Sequence, residues 1–188
     1  MLGNVHFLED EYDTALYYHK RALELRQAMP YTDPTEIATS LHAIAKTHWA
    51  RREHSEAISY AEQALTIREA LIPPDETSVG TTLVLVGDIN QESGDTIRAL
   101  MLYTRALTIF DTSVSSQSPI LAETLYKLGR MQARSDSLVD AHNNVERAVR
   151  IYRKLLPKGH QDRTRAENEL RRILQLRQAN KENSTKRS

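Results

Sequence analysis

An internal repeat of 42 residues constrains this chain more than any other feature of its sequence. Alanine occupies two fixed positions in each of four copies: Ala15, Ala57, Ala99 and Ala141, then Ala22, Ala64, Ala106 and Ala148. A small residue recurs upstream of these alanines, at Gly3, Ala45, Gly87 and Gly129. Self-similarity at such a period predicts an array of supersecondary units, each of which buries its apolar face by stacking on its neighbours.

Each repeat has the pattern of two helices. In the second copy, Leu41, Ile44, Ala45 and His48 fall on one helical stripe, and the apolar and small residues at 57, 60, 64, 67 and 71 continue the spacing after a short turn. Linkers rich in breakers separate the copies at 29–34, 72–76, 115–119 and 156–160. We expect Asp33, Asp75 and Ser118 to cap the helices that follow. No segment alternates with the period of a strand, so the fold class predicted is all-α.

Composition and motifs exclude several classes of function. The chain has no cysteine, which excludes disulfides and thiolate metal sites, and it has no phosphate-binding loop, zinc-protease motif or nucleophile elbow. We therefore predict no enzyme activity, no cofactor and no metal. The longest aliphatic run, residues 83–86, is too short to cross a bilayer, and the acidic start does not resemble a secretory signal. A cytoplasmic protein is expected.

A row of polar side chains occupies one further position of the repeat: His6, His48, Asn90 and Gln132. Successive helix pairs stack about 10 Å apart, which is too far for side chains of neighbouring repeats to share a metal ion. We expect these side chains to form hydrogen bonds with the adjacent turn.

The net charge of zero conceals an asymmetry. Residues 1–146 carry 12 basic and 21 acidic side chains, whereas residues 147–188 carry 13 basic and 4 acidic ones. The basic residues can simply complement helix C-termini. Alternatively, they form a patch for acidic partners, nucleic acid or a membrane surface.

The repeat resembles a known family. The pattern formed by Leu41, Ile44, Ala45, Ala57, Ala61, Ala64, Leu65 and Ile67 is similar to a tetratricopeptide repeat, and the 42-residue period with Asp33-Pro34 in the linker resembles the kinesin light chain type. The resemblance implies a right-handed superhelical solenoid of antiparallel helix pairs, with about three and a half repeats and a closing C-terminal helix.

The expected repeats are about 1–37, 38–79, 80–121 and 122–163. The closing helix is expected at 164–180, and a disordered basic tail at 181–188. The first repeat lacks the residues that match 38–42, so its first helix is expected to end near Leu8 after two turns.

The same resemblance implies a non-catalytic scaffold or adaptor that holds a partner peptide in a concave groove lined by the first helices. The groove residues carried over from the family are His42, Lys46, Trp49, Val84, Leu85, Asp88, Tyr126, Lys127, Arg130, Arg134 and Arg172. Their mixture of apolar and basic groups suits a peptide with acidic and aromatic residues. The alternative is that Val84 and Leu85 pack on a neighbouring helix while the arginines are solvated.

Residues that depart from the family pattern narrow the range of partners expected. The asparagines that hold peptide backbone in kinesin light chains are replaced at 42–43, 84–85 and 126–127, and of the chaperone-type carboxylate clamp only Asn4 matches. No small-molecule substrate is expected, nor nucleic acid as the main partner. Two further hypotheses are that the chain is a fragment of a larger signalling or enzymatic protein, and that it self-associates through its truncated first repeat.

Overall fold

The computed structural model describes residues 2–115 and 117–185, with side chains described as far as residue 182. Within these ranges the chain forms helices and no strands. The helices are α1 Leu2–Leu8, α2 Tyr12–Ala28, α3 Pro34–Ala50, α4 His54–Ala70, α5 Glu76–Glu92, α6 Thr96–Ser113, α7 Pro119–Arg134, α8 Leu138–Leu155 and α9 Gln161–Thr185. The all-α prediction is confirmed, as is the short first helix that ends at Leu8.

The turn inside each helix pair repeats with the period of the sequence. One residue in each turn has a positive φ, and these residues lie 42 positions apart: Asp10, Arg52, Gly94 and Asp136. The residue after it donates its backbone N–H to a carbonyl five residues earlier, as from Glu53 to His48 at 3.0 Å. This bond satisfies a carbonyl that the end of the first helix leaves without an intrahelical partner. Turns this short make the two helices of a pair antiparallel neighbours.

The recurring alanines lie at helix contacts. Seven of the eight are completely buried, and Ala22 is partly buried. The small residue of the first helix is equally constrained, because a Cβ on Gly129 would lie 2.5 Å from Cγ2 of Val145 and 3.1 Å from the carbonyl oxygen of Ala141. Small side chains at these positions let the two helices of a pair approach closely.

The helices form two compact units, one up to Leu102 and one from Tyr103 onward, and the boundary falls inside α6. In unit 1, α1 packs on α2, α2 on α3, α3 on α4 and α4 on α5, and α3 also contacts α5. In unit 2, α7 packs on α8 and α8 on α9, and α7 also contacts α9. Consecutive packing of this kind is what the repeat predicts.

The helix ends agree with the expected caps at two of three positions. Asp33 accepts a hydrogen bond from the backbone N–H of Thr35 at 2.9 Å, and Asp75 accepts one from that of Ser78 at 3.1 Å. Ser118 occupies the N-cap position of α7, but its side chain makes no capping bond. The prediction for Ser118 is therefore wrong in its mechanism, and Pro119, which has no N–H to satisfy, starts the helix instead.

The closing helix is longer than expected. It begins at Gln161 and continues to Thr185, which moves its end five residues past the predicted boundary at 180. Residues 186–188 of the predicted disordered tail lie outside the described part of the chain. None of the helices described is both long enough and apolar enough to cross a membrane.

Candidate peptide-binding surfaces

The ends of α3 and α5 meet at Glu92. Its carboxylate accepts a hydrogen bond from Nε1 of Trp49 at 3.0 Å and lies 2.8 Å from Nη1 of Arg52. The indole also packs against the core cluster that contains Ala45 and Leu85. Trp49 is therefore half-buried and tied to α5, with only part of its ring available to a ligand.

Lys46 is exposed on α3. Its Nζ lies 4.9 Å from the centre of the Phe7 ring, within the range of a cation–π interaction that links α1 to α3. Asp88, another predicted groove residue, is half-buried on α5. Among the predicted groove residues of unit 1, Lys46 alone is exposed.

His42 belongs to a buried network rather than to an open surface. Nη1 of Arg68 lies 3.3 Å from Nδ1 of His42 and donates to the carbonyl oxygen of Ser78 at 3.1 Å and to the hydroxyl of Thr82. Burial, with the charges of Arg68 and Lys46, lowers the pKa of His42 to about 3. The imidazole is therefore neutral at physiological pH and acts as a hydrogen-bonding group between α3, α4 and α5.

Val84 and Leu85 lie in the core. Their exposed fractions are 4% and 5%, and Leu85 packs with Ala45, Ala57 and Ala61. The structure thus buries both side chains, and Leu85 packs on a neighbouring helix as the alternative interpretation expected, so they offer a ligand almost no surface. We correct the predicted groove accordingly, by leaving both residues out of it.

Unit 2 contains a cavity of about 360 Å³ between α7, α8 and the start of α9. Its lining consists of Pro119, Glu123, Tyr126, Lys127, Arg130, Tyr152, Leu155, Leu156, Asp162 and Arg165. Three of these, Tyr126, Lys127 and Arg130, are predicted groove residues on one face of α7. The guanidinium of Arg130 lies 5.5 Å from the centre of the Tyr126 ring, and Nζ of Lys127 lies 2.7 Å from the Glu123 carboxylate.

The other two predicted residues of unit 2 lie outside this cavity. Arg134 is exposed at the end of α7. Arg172 is exposed on α9 and donates two hydrogen bonds to Glu169, at 3.0 and 2.6 Å, and this partner raises the pKa of its guanidinium. The geometry therefore brings together three of the eleven predicted residues around one cavity.

A family model for the tetratricopeptide repeat matches residues 1–70 and 78–154. The chain belongs to the tetratricopeptide repeat family. Members of this family bind protein partners and typically act as interaction scaffolds, and the fold is generally non-catalytic. No protein of curated function matches the sequence.

Several solved structures superpose on most of the chain. A candidate kinesin light chain from Podosopora anserina with nearly identical TPR-like repeats has a TM-score of 0.74 at 19% identity, over 96% of this chain and 86% of that one. BtubC (BKLC) from P. vanneervenii has a TM-score of 0.73 at 22% identity, over 95% and 78%. The apo form of RapI has a TM-score of 0.80 at 18% identity, over 94% of this chain but 62% of RapI. At these identities the likeness shows the fold.

The row of polar residues in the tetratricopeptide repeats forms hydrogen bonds, as expected, although two of the four bond elsewhere than the turn. Nδ1 of His6 lies 2.8 Å from Glu11, and Nδ1 of His48 lies 2.5 Å from Glu53, both in the following turn. Asn90 instead donates to the carbonyl oxygen of Val86 on its own helix at 2.7 Å. Gln132 accepts a hydrogen bond from Asn144 on the second helix of its pair at 2.8 Å.

One turn of the first tetratricopeptide repeat gathers groups that could hold a metal ion. His6, Glu9 and Glu11 each bring one ligand atom to within 4.8 Å of the others, and both carboxylates are exposed. The spacing of the polar row excludes metal sharing between repeats, but it does not address residues within a single turn. At the position of Glu9, the second repeat carries Arg51, which pairs with Glu53 at 2.9 Å.

Some residues that line the cavity are not among the predicted groove residues. Tyr152, Asp162 and Arg165 line the cavity from α8 and α9, and the last two lie where the 42-residue register gives no groove position. Tyr152 is 6% exposed, and burial raises the pKa of its hydroxyl well above the ordinary value. The register itself holds a signal, since Tyr152, Phe110, Arg68 and Arg26 occupy one repeat position and all are large.

Proposed function

We propose that this tetratricopeptide repeat chain is a non-catalytic adaptor of the kinesin light chain-like kind, which works in the cytoplasm and holds a partner peptide in the cavity between α7, α8 and α9. The observation that supports the proposal is the meeting of Tyr126, Lys127 and Arg130 around one cavity of about 360 Å³. A volume in this range accommodates one or two side chains of a peptide.

The lining favours a peptide with both acidic and aromatic residues. Arg130 and Arg165 can each bind a carboxylate, because the guanidinium donates two directional hydrogen bonds to the carboxylate oxygens. Leu155, Leu156 and the Tyr126 ring provide an apolar wall for an aromatic side chain. The carboxylates of Glu123 and Asp162 repel a purely acidic ligand, so the lining favours a peptide that mixes acidic and apolar residues.

The first-helix face of unit 1 offers a second and simpler contact. Lys46 is exposed beside the Phe7 ring, so an acidic side chain can approach the ammonium while an apolar group covers the ring. We assign this face a supporting role, because His42 and Trp49 are already committed to contacts within the unit.

The test is charge reversal at Lys127, Arg130 and Arg134 in the full chain. Binding of a fluorescent peptide with one tryptophan between acidic residues is expected to be lost, while the helical circular dichroism stays unchanged. A matched variant reverses Lys158, Arg171 and Arg177, which changes the net charge equally but away from the cavity lining. Equal loss in both variants would show non-specific attraction, and retained binding in the first would place the site elsewhere.

We also propose self-association through α1 as a second property of the adaptor. The residues Leu2, Val5 and Leu8 recur along one side of this helix and are 59%, 50% and 81% exposed. An apolar stripe of this kind is stabilised when a second chain covers it. Sedimentation should show a concentration-dependent dimer that the double change Val5→Ser and Leu8→Ser removes; a wild-type chain that stays monomeric at high concentration contradicts this property and leaves the peptide cavity untouched.

A further inference from the structure

A second groove lies in unit 2 between the C-terminal ends of α6 and α8. It encloses about 650 Å³, and the side chains of Phe110 and Ile151, which are 0% and 7% exposed, lie beneath it and offer a ligand almost no surface. The half-buried side chain of Val114 also lines it. None of the residues that line this groove lines the cavity between α7, α8 and α9, so the two sites are separate.

The rim of this groove is strongly basic. Four cationic side chains of α8 line it, namely Arg147, Arg150, Arg153 and Lys154, against one acidic residue, Asp111. The four span about 10 Å along the helix, at 1.5 Å per residue. Unit 2 as a whole carries 17 basic and 9 acidic residues, so its field reinforces the local charge.

Two of the four cations are engaged within the chain and two are more available. Arg147 pairs with Asp111 across the groove at 2.6 Å, and Arg153 pairs with Glu167 at 2.8 Å. Arg150 reaches Glu146 only at 4.0 Å, with its side chain 66% exposed. Lys154 has no ion-pair partner in the part of the chain that the structure describes. Arg147 and Arg153 are therefore held by ion pairs beside the groove, whereas Arg150 and Lys154 are available to a ligand.

The available cations are specific to the fourth repeat. At the position of Arg150, the earlier copies carry Glu24, Thr66 and Thr108, and at that of Lys154 they carry Ala28, Ala70 and Thr112. A general need to complement the dipole at the end of the second helix would place cations in every copy. Arg150 moreover lies five residues before the end of α8, beyond the last turn where that effect acts.

We propose that the groove between α6 and α8 is a second docking site, whose occupant is a short acidic peptide segment with one aliphatic side chain. The acidic side chains pair with Arg150 and Lys154, and the aliphatic side chain contacts the half-buried Val114. Nucleic acid satisfies the cations but has no aliphatic side chain to place on Val114, so the combination of two cations and an apolar side chain favours a peptide.

The test measures binding of a fluorescent peptide that places one leucine between two pairs of glutamates. The double variant Arg150→Thr and Lys154→Thr installs the residues of the third repeat, which stand on an equivalent helix, so folding is expected to be kept and circular dichroism verifies it. Loss of two partly exposed ion pairs should raise the dissociation constant about fivefold at low ionic strength. The variant Lys127→Thr and Arg130→Thr removes the same charge from the lining of the other cavity, serves as the control, and should leave this affinity within about twofold.

Several outcomes overturn the proposal. Unchanged affinity in the threonine variant removes the groove as the site, and equal loss in the control variant assigns the peptide to the other cavity. A control peptide with serine in place of leucine should bind several-fold more weakly. If it binds as well as the leucine peptide, or if a single-stranded oligonucleotide or an anionic vesicle competes at equal charge, the surface is a general polyanion site. Sedimentation of the protein alone covers the remaining occupant, because a dimer abolished by the threonine variant would mean that a second copy fills the groove.

Discussion

The close approach of α7 and α8 at Gly129 leads to a prediction about size matching between the helices of a pair. A Cβ built on Gly129 lies 2.5 Å from Cγ2 of Val145, and it lies 3.1 and 3.2 Å from the backbone atoms Ala141 O and Val145 N. The equivalent pair in the second repeat is Ala45 with Ala61, both completely buried. The fourth repeat therefore pairs a glycine on its first helix with a valine on its second, whereas the second repeat has an alanine on each helix.

Gly129→Ala gains about 1 kcal/mol of helix propensity but loses about 1–3 kcal/mol to overpacking, because backbone lies behind the clashing methyl group. We expect a net destabilisation of about 1 kcal/mol. Val145→Ala removes two buried methyl groups, for about 2 kcal/mol. In the double variant the new methyl group fills part of the space vacated by Val145, so the cost should fall below the sum by about 1 kcal/mol or more.

The assay is urea unfolding of the four proteins in this cycle, followed by circular dichroism. A coupling energy near zero would refute the reasoning, since it would mean that Gly129 and Val145 do not share the same space. A stabilised Gly129→Ala variant would show that the helices separate at negligible cost and that propensity alone decides the outcome.

Three further experiments test the rest of the fold. Arg68→Ala should destabilise by about 2–4 kcal/mol, because the Ser78 carbonyl and the Thr82 hydroxyl lose a buried donor, whereas Arg98→Ala at an exposed ion pair should cost less than about 0.5 kcal/mol in the same urea assay. Since the folded-state pKa of His42 is depressed to about 3 and its unfolded value is near 6.5, the unfolded chain alone binds this proton between those pH values, and stability falls as the pH falls. Relative to His42→Gln, the wild type should lose about 2–3 kcal/mol between pH 7 and 4.5, and parallel pH profiles would contradict the neutral histidine. Hydrogen exchange should show weak protection over residues 1–29 and strong protection over 57–71 and 99–110. The reason is that α1 buries only Gly3, whereas α6 completely buries Ala99, Tyr103, Ala106 and Phe110. Uniform protection would show that α1 is held as firmly as α6.

The helices and turns of this chain were predictable because the repeat samples each local structure four times. The position of Asp10 also holds Arg52, Gly94 and Asp136, so a single glycine in the third copy indicates a left-handed turn in all of them. The buried alanines follow for the same reason, since only a close helix contact keeps a side chain small in every copy.

The groove was less predictable, because periodicity identifies a helix but does not show how many of its faces are covered. The side chains of α5 are buried on almost every side, which removes Val84 and Leu85 from the surface although their register matches groove positions. Arg68 was missed for the opposite reason: an arginine in sequence indicates exposure, whereas here hydrogen bonds to Ser78 and Thr82 stabilise it when buried.

The end of the cavity formed by α9 involves repeat positions that carry no predicted groove residue. Asp162 and Arg165 belong to the start of the closing helix, at the register positions of Ile120 and Glu123 on α7, and neither position belongs to the predicted groove. Only the fold, which packs α9 on α8 and against α7, brings these residues to the cavity.

The central claim is that a partner peptide occupies the cavity lined by Tyr126, Lys127 and Arg130, and site-specific photocrosslinking tests it most directly. A photoreactive phenylalanine derivative replaces Tyr126 in one variant and Tyr17, which is 65% exposed on α2, in another. With the acidic tryptophan peptide, the account predicts a crosslink from position 126 that excess unlabelled peptide suppresses, and none from position 17. A crosslink from both positions, or from position 17 alone, would contradict it.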